Sequence, residues 1–462
     1  MRSLNAPSFL HPEETPFPDD GRPLVQGLEN SHSRHTSFLA CPHAWWLQGP
    51  GAWGGWRPGI PSAVFDRYLA KGIKGAYGNF GALDHEGTEW VDKAAINSLY
   101  FPKTGTPPAT NAQIRDAFEQ KFDKQWEDSR TMTWNAWKKE RTRRDRRKGE
   151  DEPVWLREHA LYHLLNERHT LELRQIIDNL RSRQNDRILF RPENDAADKA
   201  RLWRWAKQAL ENYIANRARI LQGAPPDDWL VVEGHKLEKG MVVDDLTGTK
   251  SQAQQWKKRI FPKAELLVDG VLWYYYYTMD RLVLCRKDGR YYFIDLKAGV
   301  EKLDENGQNP HVEQVAIYAA LAAANLPALR GVDPERFVIR IAYLNGADRE
   351  SPTEIRDFEY DKGEMEACIE RAKDHCRLQM QRLRLLATID KQKLLELMPA
   401  AWIFGRDGVF NEHRFPQDTY VALEENFPPE AARRKAVRQC AQCDCLALCK
   451  EGSDLVGMRR LL

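Results

Sequence analysis

The chain has 462 residues, 42% of them hydrophobic and 29% charged, with a net charge of only +2. That length allows two or three ordinary domains, or one domain with large insertions, and the apolar share excludes a wholly disordered chain. The near-neutral balance excludes partner choice by global charge, so a nucleic acid would have to be met by local patches.

No apolar run follows Met1-Arg2-Ser3, so no secretory leader is expected. The longest apolar run, Val315 to Ala324, is too short to span a bilayer, and a cytoplasmic protein is the default. Residues 1–30 are rich in Pro, Asp and Glu and read as a loosely ordered arm. Ser33 then offers a cap for a short helix carrying Phe38 and Leu39 inward, ended by Cys41-Pro42 before a second apolar turn at Ala44-Trp45-Trp46. Pro61 to Leu69 starts another helix with Ser62 as its cap; Asp66 falls in its early turns, where a carboxylate complements the helix dipole.

Residues 76–225 read as a mostly helical, polar insertion. Trp126, Trp134, Trp137, Trp155, Trp203 and Trp205 are spaced to pack helix on helix. Lys138 to Lys148, KKERTRRDRRK, reads as a solvated helix face with ion pairs to Glu140 and Asp145, or as a phosphate-contacting ridge. His159, His163 and His169 fall on one expected helix without the glutamate a zinc-protease motif needs, and read as core or surface histidines. Asp228 to Glu233 is the first expected core strand, with Leu237 to Val243 extending the same sheet edge; Glu233 and Glu238 have no motif around them. Residues 246–260 form an exposed loop, and Ala264 to Val271 leads into the centre.

The centre is Trp273 to Ala320. Tyr275, Tyr276, Tyr277, Leu282, Val283 and Leu284 supply one strand. Lys287-Asp288-Gly289 marks a tight turn and Tyr291 to Lys297 a second strand; Gln314 to about Ala324 is an alanine-rich helix. Strand alternation puts Asp295 and Lys297 on one face and Leu296 on the other, and hairpin pairing would bring Asp280 near Asp295. Two carboxylates and the Leu296 carbonyl form a hard oxygen set suited to Mg²⁺ or Mn²⁺. Lys297 is placed to hold a water and offset charge on a phosphate. Gln314 and Tyr318, four apart, share a helix face and would steady the site or a nucleic-acid backbone. The structural alternative is an exposed Asp-x-Lys strand with Asp280 paired to Arg281 or a turn.

Arg336 to Leu344 alternates as a further strand, with Ile355 to Tyr360 its antiparallel neighbour. Lys362 to about Met398 is a long charged amphipathic helix; Cys368 and Cys376, eight apart on it, fit core packing. Residues 399–432 are irregular, punctuated by Gly405, Gly408, Pro416, Pro428 and Pro429. Cys440, Cys443, Cys445 and Cys449 crowd the tail, RQCAQCDCLALCKEG, which in a reducing compartment points to a metal site over disulfides.

An Asp on one strand, Asp-x-Lys on the next and Gln-x-x-x-Tyr on the following helix resemble the PD-(D/E)xK nuclease superfamily, in its RecB/AddB-like and CRISPR-adaptation-nuclease branch. The resemblance covers about residues 225–360, with 30–70 and 438–450, and not 80–220. It implies an α/β restriction-endonuclease-like core, a mixed central sheet flanked by helices, with a large helical insertion and a C-terminal Cys cluster. It implies Mg²⁺- or Mn²⁺-dependent hydrolysis of DNA, with Asp280, Asp295 and the Leu296 carbonyl holding the metal and Asp66 a candidate early-helix ligand. Lys297 would position the attacking water, supported by Gln314 and Tyr318. One early and three late cysteines, Cys41 with Cys440, Cys443 and Cys449, resemble the ligands of a 4Fe-4S cluster, which would close a loop of roughly 400 residues. Zn²⁺ is the alternative, with Cys445 able to replace Cys41. No phosphate-loop motif is present, so a separate helicase or a defence-complex subunit is the expected partner. A DNA-binding scaffold that cuts nothing and a zinc-stapled RNA-processing factor are the rival readings. The expected divisions are 1–30, 31–75, 76–225, 226–360, 361–437 and 438–462.

Overall fold

The structure, a computed structural model, describes residues 29–40, 44–45, 73–104, 107–130, 138–145, 150–157, 161–163, 195–232, 235–236, 263–269, 271–299, 301, 303, 309–345 and 353–389. Asp66, Cys41, Cys440, Cys443, Cys445 and Cys449 lie outside these, as do His159, His169 and the expected helix at 61–69.

A short strand β1 (Glu29–Asn30) leads into helix α1 (His32–Ala40). Strand β2 (Ile73–Gly75) runs into the long α2 (Ala76–Thr104), followed by α3 (Asn111–Arg130). Next come β3 (Lys138–Asp145), β4 (Glu150–Arg157), β5 (Leu161–His163) and α4 (Asp195–Ile220). The strands β6 (Trp229–Val232), β7 (His235–Lys236), β8 (Lys263–Val268), β9 (Val271–Tyr276), β10 (Arg281–Cys285) and β11 (Arg290–Lys297) follow. The described chain closes with α5 (Pro310–Asn325), β12 (Phe337–Tyr343), β13 (Glu354–Glu359) and α6 (Lys362–Ile389).

The protein is α/β, built on a mixed sheet in the order β13-β12-β11-β10-β6-β7, whose outermost strand β7 has two residues. The β11–β12 pair is parallel, joined through α5, and the other neighbours are antiparallel. Alternation along β11 divides two cores. Phe293 faces α5 and α6, whereas Tyr292, Ile294 and Leu296 face the layer of α2, α3 and α4. Helix α5 is buried from Val315 to Ala322, and its small alanines let it sit between the sheet and α6. Cys368 and Cys376 are fully buried on α6 as part of that core.

Four expectations are corrected. The run from Tyr275 to Leu284 is two strands in two sheets: β9 belongs to a separate three-stranded sheet, β1-β9-β8, and β10 to the main one. Residues 277–280 make the transfer, since Trp273, Tyr275 and Tyr277 are needed in one core and Leu282 to Cys285 in the main sheet. The hairpin loop is four residues, with Cys285 opposite Arg290; Gly289, at φ +71, takes the left-handed position that suits glycine. Lys138–Asp145 is not a helix face but a strand paired antiparallel to Glu150–Arg157, and His163 ends a strand paired with β2. A hairpin partner lies outside the window in which helical ion pairs are counted.

Candidate active site

A cavity of about 480 Å³ opens where β9, β10, β11, α1, α2 and α5 meet, lined by Asp280, Asp295, Lys297, Gln314, Tyr318 and His85, with Ser31, Ser33, Arg34, Tyr276 and Thr278. Register explains the acidic wall. Arg281 pairs with Ile294, so Asp280 stands across from Asp295 at the end of the β10–β11 ladder. Both acids are buried, at 7% exposure each. Asp280 Oδ2 accepts a hydrogen bond from the Leu296 amide at 2.6 Å, and its Oδ1 lies 3.6 Å from His85 Nδ1.

Lys297 Nζ lies 2.8 Å from Asp295 Oδ2, a largely buried ion pair. Burial alone would lower the lysine pKa. The neighbouring charges of Asp295 and Asp280 more than reverse this and hold it above its ordinary value. Gln314 and Tyr318 enter from α5, which starts at the Asn309 cap (Oδ1 accepting from His311 N at 3.0 Å) with Pro310 in its first turn. Asn309 is itself held by Tyr343 Oη at 2.6 Å and Glu301 at 3.0 Å, tying the helix start to β12. Burial pushes the Tyr318 hydroxyl well above its usual value, so it stays a neutral donor.

The third wall is α1. Its cap is Ser31, not Ser33: Ser31 Oγ accepts from Arg34 N at 3.2 Å and lies 3.1 Å from Ser33 Oγ. Phe38 is buried, but Leu39 is 49% exposed, contrary to expectation. Asn30 is fully buried: its Oδ1 accepts from Ser31 N at 2.8 Å and Gln379 Nε2 at 3.0 Å. His35 stacks on His375 with ring centroids 3.5 Å apart, and Tyr275 Oη lies 3.0 Å from His375 Nδ1. The start of α1 is thereby fixed to α6 and β9.

His85, from α2, was not among the residues singled out from sequence. Its signal was a polar stripe at four-residue spacing, Asp84, Thr88 and Asp92 with His85 and Glu89 beside it, inside a helix otherwise carrying Phe80, Leu83, Trp90 and Val91 to the core. The stripe locks α2 to β10. Fully buried Arg281 donates to Asp92, to Thr88 Oγ1 at 3.1 Å and to the Asp280 carbonyl at 2.7 Å, while Tyr213 Oη donates to Asp92 Oδ2 at 2.7 Å. Arg281 therefore meets the backbone of Asp280, leaving the carboxylate facing the cavity.

Among the described residues, no three His, Cys, Asp or Glu side chains close on a common point. The two carboxylates that line the cavity, Asp280 and Asp295, are nonetheless oxygen donors of the hard type that suits a divalent cation, with the His85 imidazole beside them. No helix among the described residues is long and apolar enough to cross a membrane. In comparisons with known proteins, the chain matches no protein family, no curated protein and no solved structure.

Proposed function

We propose that the chain is a metal-dependent deoxyribonuclease with a restriction-endonuclease-like core. The observation that carries this reading is the convergence of Asp280, Asp295 and Lys297 on one cavity from the paired ends of two strands. Asp280 and Asp295, with the Leu296 carbonyl, would hold Mg²⁺ or Mn²⁺, which when bound supplies Lewis-acid polarisation of a phosphoryl oxygen. His85, from α2, is the helix side chain beside them, while Asp66, the early-helix candidate from sequence, lies outside the described residues.

The residues divide the remaining work by their protonation. Lys297, with its pKa held above the ordinary ammonium value, stays charged at neutral pH. It acts as a hydrogen-bond donor that orients a water and offsets charge growing on the phosphate, and not as a base. Gln314 and neutral Tyr318 line the cavity beside it as further donors. The Leu296 amide fixes Asp280 so that one of its oxygens is already engaged and the other is turned toward His85. The iron–sulfur staple, the DNA preference and a helicase or defence partner belong to this proposal through the family resemblance alone.

The test is digestion of linear and circular, single- and double-stranded DNA with Mn²⁺, Mg²⁺ or chelator. Asp295→Ala should remove cleavage, by at least about a hundredfold as for loss of an essential electrostatic group, with DNA binding retained. Cleavage that persists undiminished in Asp295→Ala, or in chelator, would sink the reading. Iron and zinc analysis of the same sample separates the 4Fe-4S staple from a zinc one.

A further inference from the structure

We propose that Tyr343 is a positioning residue for the reaction: through Asn309 it fixes the start of α5 against β12, and so sets where Gln314 and Tyr318 stand relative to Lys297. The proposal rests on the nuclease reading for its reaction and deepens it. Tyr343 ends β12 directly opposite Lys297, the last residue of β11, in the parallel ladder. Partners in such a ladder share a face, so both side chains lie on the side of the sheet where α5 packs. The Leu344 amide donates to the Lys297 carbonyl at 2.8 Å and joins the two strand ends. From there the Tyr343 hydroxyl reaches the cap of α5, accepting from Asn309 Nδ2 at 2.6 Å.

Asn309 is a junction at which every amide hydrogen is used. Its Nδ2 donates to Tyr343 Oη and, at 3.0 Å, to Glu301 Oε1, while its Oδ1 accepts from His311 N at 3.0 Å. Glu301 lies in turn 3.4 Å from Arg356 on β13. Aspartate at this position would lack both donors and face Glu301; serine would cap the helix but fall short of Tyr343. The Asn309 carbonyl alone makes the cap, so the Tyr343 bond bears on where α5 starts and not on whether it forms. Gln314 and Tyr318 lie in the second and third turns of α5 and line the cavity with Lys297. A slip of the helix by one residue would turn them by about 100° and move them by about 1.5 Å. Misplacement on that scale at a reacting centre costs up to about a hundredfold in rate.

The experiment compares wild type, Tyr343→Phe and Asn309→Ser as full chains in Mn²⁺-dependent DNA cleavage. DNA binding is followed by anisotropy in chelator, and backbone hydrogen exchange of residues 309–318 in the metal-free proteins. Tyr343 is fully buried, and Tyr343→Phe keeps its ring while removing only the hydroxyl. It should lower kcat by roughly tenfold, with KM and DNA affinity within about twofold of wild type. Its Tm should fall by no more than about 4 °C, as for one hydrogen bond. Exchange in the first turns of α5 should quicken while the main sheet keeps its protection. Asn309→Ser should cost about the same factor in kcat, and the double variant no more than either alone, because both break one link. On the residual rate of a chain carrying Gln314→Ala and Tyr318→Phe, Tyr343→Phe should cost nothing further. The role is overturned if Tyr343→Phe raises KM in place of lowering kcat, leaves exchange in α5 unchanged, or costs its full factor again without Gln314 and Tyr318. A wild type that cuts nothing in Mn²⁺ removes the nuclease reading and this role with it. A wild type that cuts, with Tyr343→Phe equally active, removes the role alone.

Discussion

Replacing Arg281 with Met tests the joint on which the acidic wall depends. The guanidinium is fully buried and reaches Asp92, Thr88 and the Asp280 carbonyl, with the Tyr213 ring 5.8 Å away. Methionine keeps much of the apolar stem, so the loss is electrostatic. It strands Asp92, itself fully buried, with Tyr213 as a remaining donor. Breaking one side of a buried pair costs about 3–5 kcal/mol. For a cooperative unit of 150–250 residues that lowers Tm by roughly 6–20 °C.

The sign with pH follows from Asp92. Burial raises its pKa above the ordinary carboxylate value, with Arg281 and Tyr213 pulling back. A carboxyl with a raised folded pKa gives stability in acid that is lost as pH rises through that pKa. Without Arg281 the pKa climbs further, so the deficit of Arg281→Met should be larger at pH 8 than at pH 5. The assay is thermal and urea unfolding of Arg281→Met, Asp92→Leu and the double variant. The double variant should recover about 2 kcal/mol or more of the summed losses. A single variant within about 1 kcal/mol of wild type, or losses that simply add, would refute the reasoning.

Gly87 sits where α2 passes α3 and α4. A Cβ there would meet the Phe118 ring at 2.8 Å and Leu210 Cδ1 at 3.3 Å, so Gly87→Ala should destabilise by about 1–3 kcal/mol in urea unfolding despite alanine's better helix propensity. Asp84 is 1% exposed, neither carboxylate oxygen is hydrogen-bonded among the described residues, and burial raises its pKa well above normal. Its stability contribution is therefore present in acid and lost as pH rises through that value; Asp84→Asn should flatten this part of the stability–pH curve in a series of thermal melts. His375 is the opposite case: burial holds it down to about 3. Its contribution is full above the ordinary value of 6.5 and is lost as pH falls toward 3, so His375→Gln should shift the acid-unfolding midpoint to lower pH by circular dichroism.

The comparison of pattern with fold is uneven along the chain. The turn at Gly289, the alternation of Phe293, Asp295 and Lys297, and the spacing of Gln314 and Tyr318 are local, and local rules read them. The Lys138–Asp145 segment misled because its charges satisfy helical spacing as well as strand pairing, and its partner strand decides between them. The three tyrosines misled differently: β propensity says strand but not which sheet, so the break at 277–280 has no local mark.

Sequence by itself determined that Asp295 and Lys297 share a face, that a helix carrying Gln314 and Tyr318 follows, and that Cys368 and Cys376 belong in a core. Those facts depend on periods of two and near four residues along one element, which the covalent chain imposes. Only the tertiary structure brought His85 from α2 and Ser31, Ser33 and Arg34 from α1 to the same cavity, across separations of some two hundred residues or more. Buried contacts between distant elements made those choices: Arg281 tying α2 to β10, and Asn30 and His35 tying α1 to α6. No periodicity records them, because each bond joins groups whose spacing along the chain is arbitrary.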